Sequence, residues 1–155
     1  KYINKLGGGG ETEEYSWDNS ARIRYDGDHK VEGNGSYRFN LQKGWSRWVL
    51  TMKNNQSIDI SGYKQIKFAV SSLSAAKWDD FKVIIQDRDD NYMVAKLADL
   101  GFKPDGKFHW LILEIEGIKQ AGVDVSNLGK IIQIAWGGSI GANHSFHLDG
   151  LQLLK

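Results

Sequence analysis

At 155 residues and a net charge of +1, the chain is long enough for one packed domain and lacks the basic surplus of a nucleic-acid binder. It has no cysteine, which excludes disulfides, zinc–thiolate sites and thiol nucleophiles, and no apolar stretch approaches the ~20 residues of a membrane-spanning helix. Hydrophobic residues at 41% exclude a disordered chain, and 18 Gly beside 6 Trp, 6 Tyr and 6 Phe with a single Pro suit a turn-rich all-β protein.

Residues 1–6 carry no signal-peptide core, so the chain reads as a mature protein or as one module, residues 1–155, excised from a larger multimodular protein. Residues 7–10 are a tetraglycine with no Lys-Ser/Thr after it, which predicts a loop and not a phosphate cradle. A period-2 signal then recurs. Ala21, Ile23 and Tyr25 alternate with Arg22 and Arg24, and Tyr37, Phe39 and Leu41 alternate with Arg38 and Asn40. Ile66, Phe68 and Val70 follow, then Phe81, Val83 and Ile85, then Leu111, Leu113 and Ile115. Ile132 with Ile134, and Phe146 with Leu148, complete the series. Turn signals separate these runs: Asp26-Gly27, Gly33-Asn34-Gly35, Asn54-Asn55, Asp89-Asp90-Asn91, Pro104-Asp105-Gly106 and Gly137-Gly138. The only helical candidates are short, over residues 73–77 and 118–121. Roughly nine or ten strands at this spacing predict an antiparallel β-sandwich of two sheets, a jelly roll of galactose-binding-like type.

The candidates for catalysis are weak. Glycoside hydrolysis needs two facing carboxylates. Glu11, Glu13 and Glu14 read as solvated loop charges, as do Asp87, Asp89 and Asp90, and the short connections leave little length for a deep cleft. Asp79-Asp80 forms a further acidic pair. His29, His109, His144 and His147 read as surface or pocket-lining residues, because the spacing of His144 and His147 points them to opposite faces of a strand. There is no G-x-S-x-G elbow. No catalytic residue is expected.

Binding of a sugar chain fits better. A pyranose offers an apolar C–H face to aromatic rings and a rim of hydroxyls to planar polar side chains. Such groups should lie on the strand face opposite the core. Alternation puts Lys82, Ile84, Gln86 and Arg88 there, then Tyr92 and Lys96 on the following strand. Gln133 opposes Ile132 and Ile134, and Trp136 closes that strand; Trp45 and Arg47 share a face by parity, with Trp48 on the other. Trp48 is the core candidate, Trp17 a loop platform, Trp78 a rim residue or an end plug, and Trp110 faces outward. The expected groove therefore has Trp45 and Trp136 as stacking platforms, with Arg47, Gln86, Arg88, Tyr92, Lys96 and Gln133 around them.

Several segments resemble jelly-roll carbohydrate-binding modules, most nearly family 11 and its relatives in families 4, 16 and 30. Asp59-Ile60-Ser61-Gly62-Tyr63-Lys64-Gln65-Ile66-Lys67-Phe68 is similar to the entry to their central strand, and Gly33-Asn34-Gly35-Ser36-Tyr37-Arg38-Phe39 to an early strand. Asp105-Gly106-Lys107-Phe108-His109-Trp110 and Phe146-His147-Leu148-Asp149-Gly150-Leu151-Gln152-Leu153 resemble their late and closing strands. The resemblance implies a β-glucan chain, mixed-linkage or β-1,4-linked, or a mannan, bound on the concave sheet. By position Trp45, Tyr92, Gln133 and Trp136 match groove residues, with Trp in place of Tyr at two of them. The segment from Gly7 to Trp17 does not match the family's acidic start. The resemblance also implies a structural calcium, with Asp149 as ligand and backbone carbonyls of residues 32–34 as companions.

The expected protein is thus a secreted, extracellular, monomeric accessory module. It holds polysaccharide for an appended glycoside hydrolase, with no nucleic-acid or membrane partner. Two alternatives stand beside it. One is a small jelly-roll glycanase or lyase using Asp87, Glu114 or the histidines. The other is a protein-assembly domain on the same fold, as in the mitochondrial complex I assembly factors.

Overall fold

The computed structural model describes residues 12–17, 21–33, 35–72, 81–137 and 144–155. The tetraglycine, the helix expected over residues 73–77, Trp78, Asp79 and Asp80 lie outside the described residues. Two five-stranded sheets face each other. One has the order β1 (Thr12–Ser16), β4 (Ser46–Met52), β9 (Leu128–Trp136), β6 (Lys82–Asp87) and β7 (Tyr92–Lys96). The other has the order β2 (Ala21–Asp26), β3 (Ser36–Leu41), β10 (Ser145–Leu154), β5 (Gln65–Ser71) and β8 (His109–Glu114). Every pairing is antiparallel. This is the expected two-sheet jelly-roll sandwich.

The inward residues of each alternating run meet between the sheets. Trp48, Leu50, Val83, Ile85, Ile132 and Ile134 come from the first sheet; Phe39, Leu41, Ile66, Phe68, Phe146 and Leu148 come from the second. The centre is an aromatic stack. Phe39 lies 5.4 Å from Trp48 at 6° and 5.2 Å from Phe146 at 5°, and Phe146 lies 4.3 Å from Phe81. Each such ring contributes on the order of 2–3 kcal/mol by burial alone, with about 1 kcal/mol more per well-oriented pair.

The helix α1 (Ile115–Gln120) begins three residues before the expected start at Ile118. Ile115 looks like the end of a strand by alternation. Its spacing from Ile118 also puts both on one helical face, and both are buried there. The Ile115 amide still donates to the Lys64 carbonyl at 2.8 Å, so it serves both elements.

The pairing of β10 with β5 shifts register between Asp149 and Gln152. Gly150 takes a left-handed φ of 63° at that bulge, and a Cβ there would meet the Trp110 ring at 2.4 Å. Gly150→Ala should therefore destabilise the fold by about 1–3 kcal/mol, from backbone strain and displacement of Trp110. Urea denaturation measures this, and an unshifted midpoint contradicts it.

Candidate functional site

Every second side chain of β1, β4, β9, β6 and β7 points away from the core, and the register aligns them in rows across the sheet. The middle row is Tyr15, Val49, Gln133, Ile84 and Val94. To one side lie Glu13, Thr51, Lys130, Gln86 and Tyr92. To the other lie Arg47, Ala135, Lys82 and Lys96. Trp17, just past β1, covers the Arg47 guanidinium at 4.2 Å and so ends this third row. Five strands at the usual spacing make a face ~19 Å across.

The floor is an ordered chain of amides. Gln133 is fully buried although it points away from the core. Arg47 Nη1 donates to Gln133 Oε1 at 3.2 Å, Gln133 Nε2 donates to Gln86 Oε1 at 2.9 Å, and Gln86 Nε2 donates to Asp90 Oδ1 at 2.6 Å. Lys130 Nζ donates to the same Gln86 oxygen at 3.1 Å. With both ends charged, each amide has one orientation. Val49 and Ile84 flank this chain as buried apolar floor.

Exposed aromatic rings stand around the floor. Tyr15 and Trp17 are each 39% exposed at the β1 edge, and Tyr92 is 60% exposed on β7. Beside Tyr15 a depression of about 400 Å³ is lined by Glu13, Thr51, Arg88, Gly129 and Lys130. An apolar strip with convergent polar groups on a surface otherwise facing water is the form of a ligand site.

Arg47, Gln86, Tyr92, Lys96 and Gln133, predicted from alternation, all lie on this face. Three predicted residues differ. Trp136 is 4% exposed and sits in the core, stacked on Phe39 at 6.4 Å and on Phe81 at 6.4 Å, with its indole N–H donating to the Lys43 carbonyl. Its parity with Ile132 and Ile134 dictates this, so it is no stacking platform. Trp45 is 54% exposed but lies in the turn before β4, outside the rows. Arg88 lies past the end of β6 and donates to the Asn55 carbonyl and side-chain oxygens, at the rim of the depression. Lys82 lies on the face where alternation puts it, and Tyr15 and Lys130 also belong there although the sequence reading does not single them out. The signal for Tyr15 is its place opposite Val49, which the polar run Thr12–Ser16 hides until β1 pairs with β4.

The acids of the enzymatic alternative do not converge. Asp87 is buried at the end of β6 and accepts the backbone amides of Asp89, Asn91 and Asp124 and the Asn91 side chain. Burial pushes its carboxyl up, and these hydrogen bonds outweigh that and hold it below the usual range. It organises a turn. Glu114 is on the other sheet, bonded to Gln65 Nε2 at 2.7 Å. His29 and His147 also belong to the second sheet's surroundings, their rings 4.6 Å apart. His29 Nε2 lies 2.8 Å from the Ser71 hydroxyl, which also reaches the Gly106 carbonyl at 3.0 Å.

The calcium implied by the family resemblance does not fit the donors described at Asp149. One carboxylate oxygen accepts the amides of Val31 and Glu32 and the other accepts that of Gly150, so N–H groups surround it where a cation needs oxygens. Among the described residues no three His, Asp or Glu side chains converge elsewhere. Asp149 instead ties the loop after β2 to β10.

No protein-family model matches the sequence, and no curated protein matches it. Solved structures do match. The family 30 carbohydrate-binding module of a cellulosomal cellulase of Clostridium thermocellum superposes with a TM-score of 0.69 at 13% identity, covering 94% of this chain and 91% of that one. A family 11 carbohydrate-binding module from the same organism, solved in complex with a β-1,3-1,4-mixed-linked tetrasaccharide, gives 0.67 at 14% identity, covering 99% and 94%. An exo-β-agarase gives 0.69 at 11% identity and covers 98% of this chain, which corresponds to 24% of the agarase chain. The fold is therefore that of the jelly-roll carbohydrate-binding modules, families 11 and 30 among them. The same fold also occurs as one part of larger chains such as the agarase.

The second sheet carries an acid-sensitive lock. The Asp26 carboxyl is held down at about 2, chiefly by its hydrogen bond to His147 Nε2 at 2.9 Å and by the Asp28 amide. Burial is the largest influence on His147 and pushes its pKa down; the Asp26 bond opposes this, and His29 and Arg38 add to the lowering. The neutral His147 is thus favoured on folding, and its contribution is lost as pH falls below the ordinary value of 6.5. The Asp26 contribution is full above 3.8 and is lost as pH falls from there toward about 2. Denaturation midpoints should therefore drop in two stages on acidification, with on the order of 2 kcal/mol in the lower stage. Asp26→Asn should flatten the lower stage. Identical pH profiles for the variant and the parent chain contradict this assignment.

Proposed function

We propose that this chain is a non-catalytic module that binds an extended β-linked polysaccharide across the outer face of the β1-β4-β9-β6-β7 sheet. The observation that carries the proposal is the pairing of three exposed aromatic residues, Tyr15, Trp17 and Tyr92, with a fixed floor of amides between them. Rings stack on the apolar faces of sugars, and the Arg47–Gln133–Gln86 chain meets hydroxyls with donors and acceptors already oriented. Orientation before binding lowers the entropic cost of recognition. The mixed-linkage tetrasaccharide held by the family 11 neighbour supports a β-glucan backbone of mixed or β-1,4 linkage as ligand; a mannan is the second candidate.

The separation of Asp87 and Glu114 onto different sheets supports binding without hydrolysis. The agarase match, a quarter of a longer chain, supports a role beside a catalytic domain that the module holds near its substrate. Such substrates are extracellular, and so on this reading is the module. Among the described residues no helix is long and apolar enough to cross a membrane.

Affinity electrophoresis on β-glucans, β-mannan and xylan tests the proposal. Retardation on at least one is expected; none on any of them contradicts it. Tyr92→Ala and Trp17→Ala should each weaken binding by about 1–3 kcal/mol, by analogy with base stacking on aromatic side chains, with the melting temperature held. Trp136→Ala should instead destabilise the fold by about 3–5 kcal/mol. Unchanged affinity in both surface variants would move the site elsewhere.

A further inference from the structure

The three rows of the face differ in charge. In the row of Glu13, Lys130 and Gln86, opposite charges are close: Lys130 Nζ lies 3.9 Å from Asp90 Oδ1 and shares Gln86 with it. The row of Arg47, Ala135, Lys82 and Lys96 holds three cations and no acid in register. None of the three makes an ion pair among the described residues. Lys82 and Lys96 are directly opposed across the β6–β7 pair, both exposed, an arrangement that costs stability when nothing lies between them. An anion shared by the two ammonium groups removes that repulsion.

Ala135 is opposite both Arg47 and Lys82. Its side chain is the shortest in the row, so it leaves a notch between two cations whose backbones are about two strand spacings, ~9.6 Å, apart. Arg47 is held there in advance, one guanidinium nitrogen on Gln133 and its face against Trp17. Its remaining N–H groups form the planar fork that matches a carboxylate. A neutral glucan offers this row hydroxyl acceptors but no charge to match its three cations.

We infer that the bound polysaccharide carries carboxylate groups, a uronate-containing chain, and that Arg47, Lys82 and Lys96 read its acid groups while the aromatic residues hold its rings. The inference rests on the proposal that this face binds polysaccharide, and it names the ligand class. Asp18, Asp79 and Asp80 are close to this row in the chain and lie outside the described residues; if they neutralised it, the parent protein would show no preference for an anionic chain.

A matched pair of ligands tests this: β-1,4-glucan oligosaccharides and their C6-oxidised β-1,4-glucuronate counterparts, which differ only at C6, a hydroxymethyl group in one and a carboxylate in the other. Calorimetric titration at low salt should give about fivefold tighter binding of the uronate, the scale of two or three exposed ion pairs. The ratio should shrink toward one in 1 M salt, where the screening length is about 3 Å. It should also shrink, to the part that Arg47 alone supplies, in a folded Lys82→Gln/Lys96→Gln double variant. Equal affinity for both ligands, or a preference undiminished by the double substitution, overturns the inference and leaves polysaccharide binding standing. Preference for a sulfated chain such as carrageenan over the uronate overturns the carboxylate assignment. Binding of no glycan overturns both this inference and the proposed function.

Discussion

A buried amide sets the terms for the rest of the structure. Gln133 has no exposure, yet it occupies the middle of the face that turns away from the core. Leaving its polar atoms unpaired there would cost on the order of 1–3 kcal/mol, so its partners are obligatory. Arg47 on β4 and Gln86 on β6 supply them from either side, and β9 between those strands can take only the register that brings all three together. That register also sends Ile132, Ile134 and Trp136 into the core. One strand thus fixes the packing on one side and the polar floor on the other.

The two sheets divide the work. The second sheet ties loops to strands through carboxylates: Asp149 gathers the amides of Val31, Glu32 and Gly150, and Asp26 joins the end of β2 to His147 on β10. Its Trp110 is partly exposed, but it lies over Gly150 and under Lys67, which makes it a cover for the bulge. The first sheet leaves Tyr15, Trp17 and Tyr92 exposed at its edges, over a floor whose groups are already oriented. A rigid, prepared surface of this kind suits recognition of repeating hydroxyls.

Much of this was legible from alternation. The residues read as inward on β3, β5, β6, β9 and β10 are all buried, because a one-residue slip would have exposed an entire apolar row. Gln86, Tyr92, Lys96 and Gln133 followed from the same rule. One misreading came from setting it aside. Trp136 shares parity with Ile132 and Ile134, and taking it as a platform favoured aromatic chemistry over position. Trp45 shares parity with Arg47 but lies in the turn before the strand begins. The β1 edge was hidden for a different reason: Thr12–Ser16 is polar, and only its pairing with β4 reveals that Tyr15 and Trp17 flank the floor. Cross-strand charge rows are likewise invisible until register is known. For Asp149, the family resemblance identified the position, while the local N–H donors decide what the carboxylate does.

The central claim is that one specified face, and not its opposite, contacts the glycan. Amide chemical-shift mapping by NMR during titration with a bound oligosaccharide tests it most directly. Shifts should concentrate on β1, β4, β9, β6 and β7, with the side-chain amides of Gln133 and Gln86 and the indole of Trp17 among the most perturbed. Shifts concentrated on β2, β3, β10, β5 and β8, or confined to the loops at one end of the sandwich, would contradict the account.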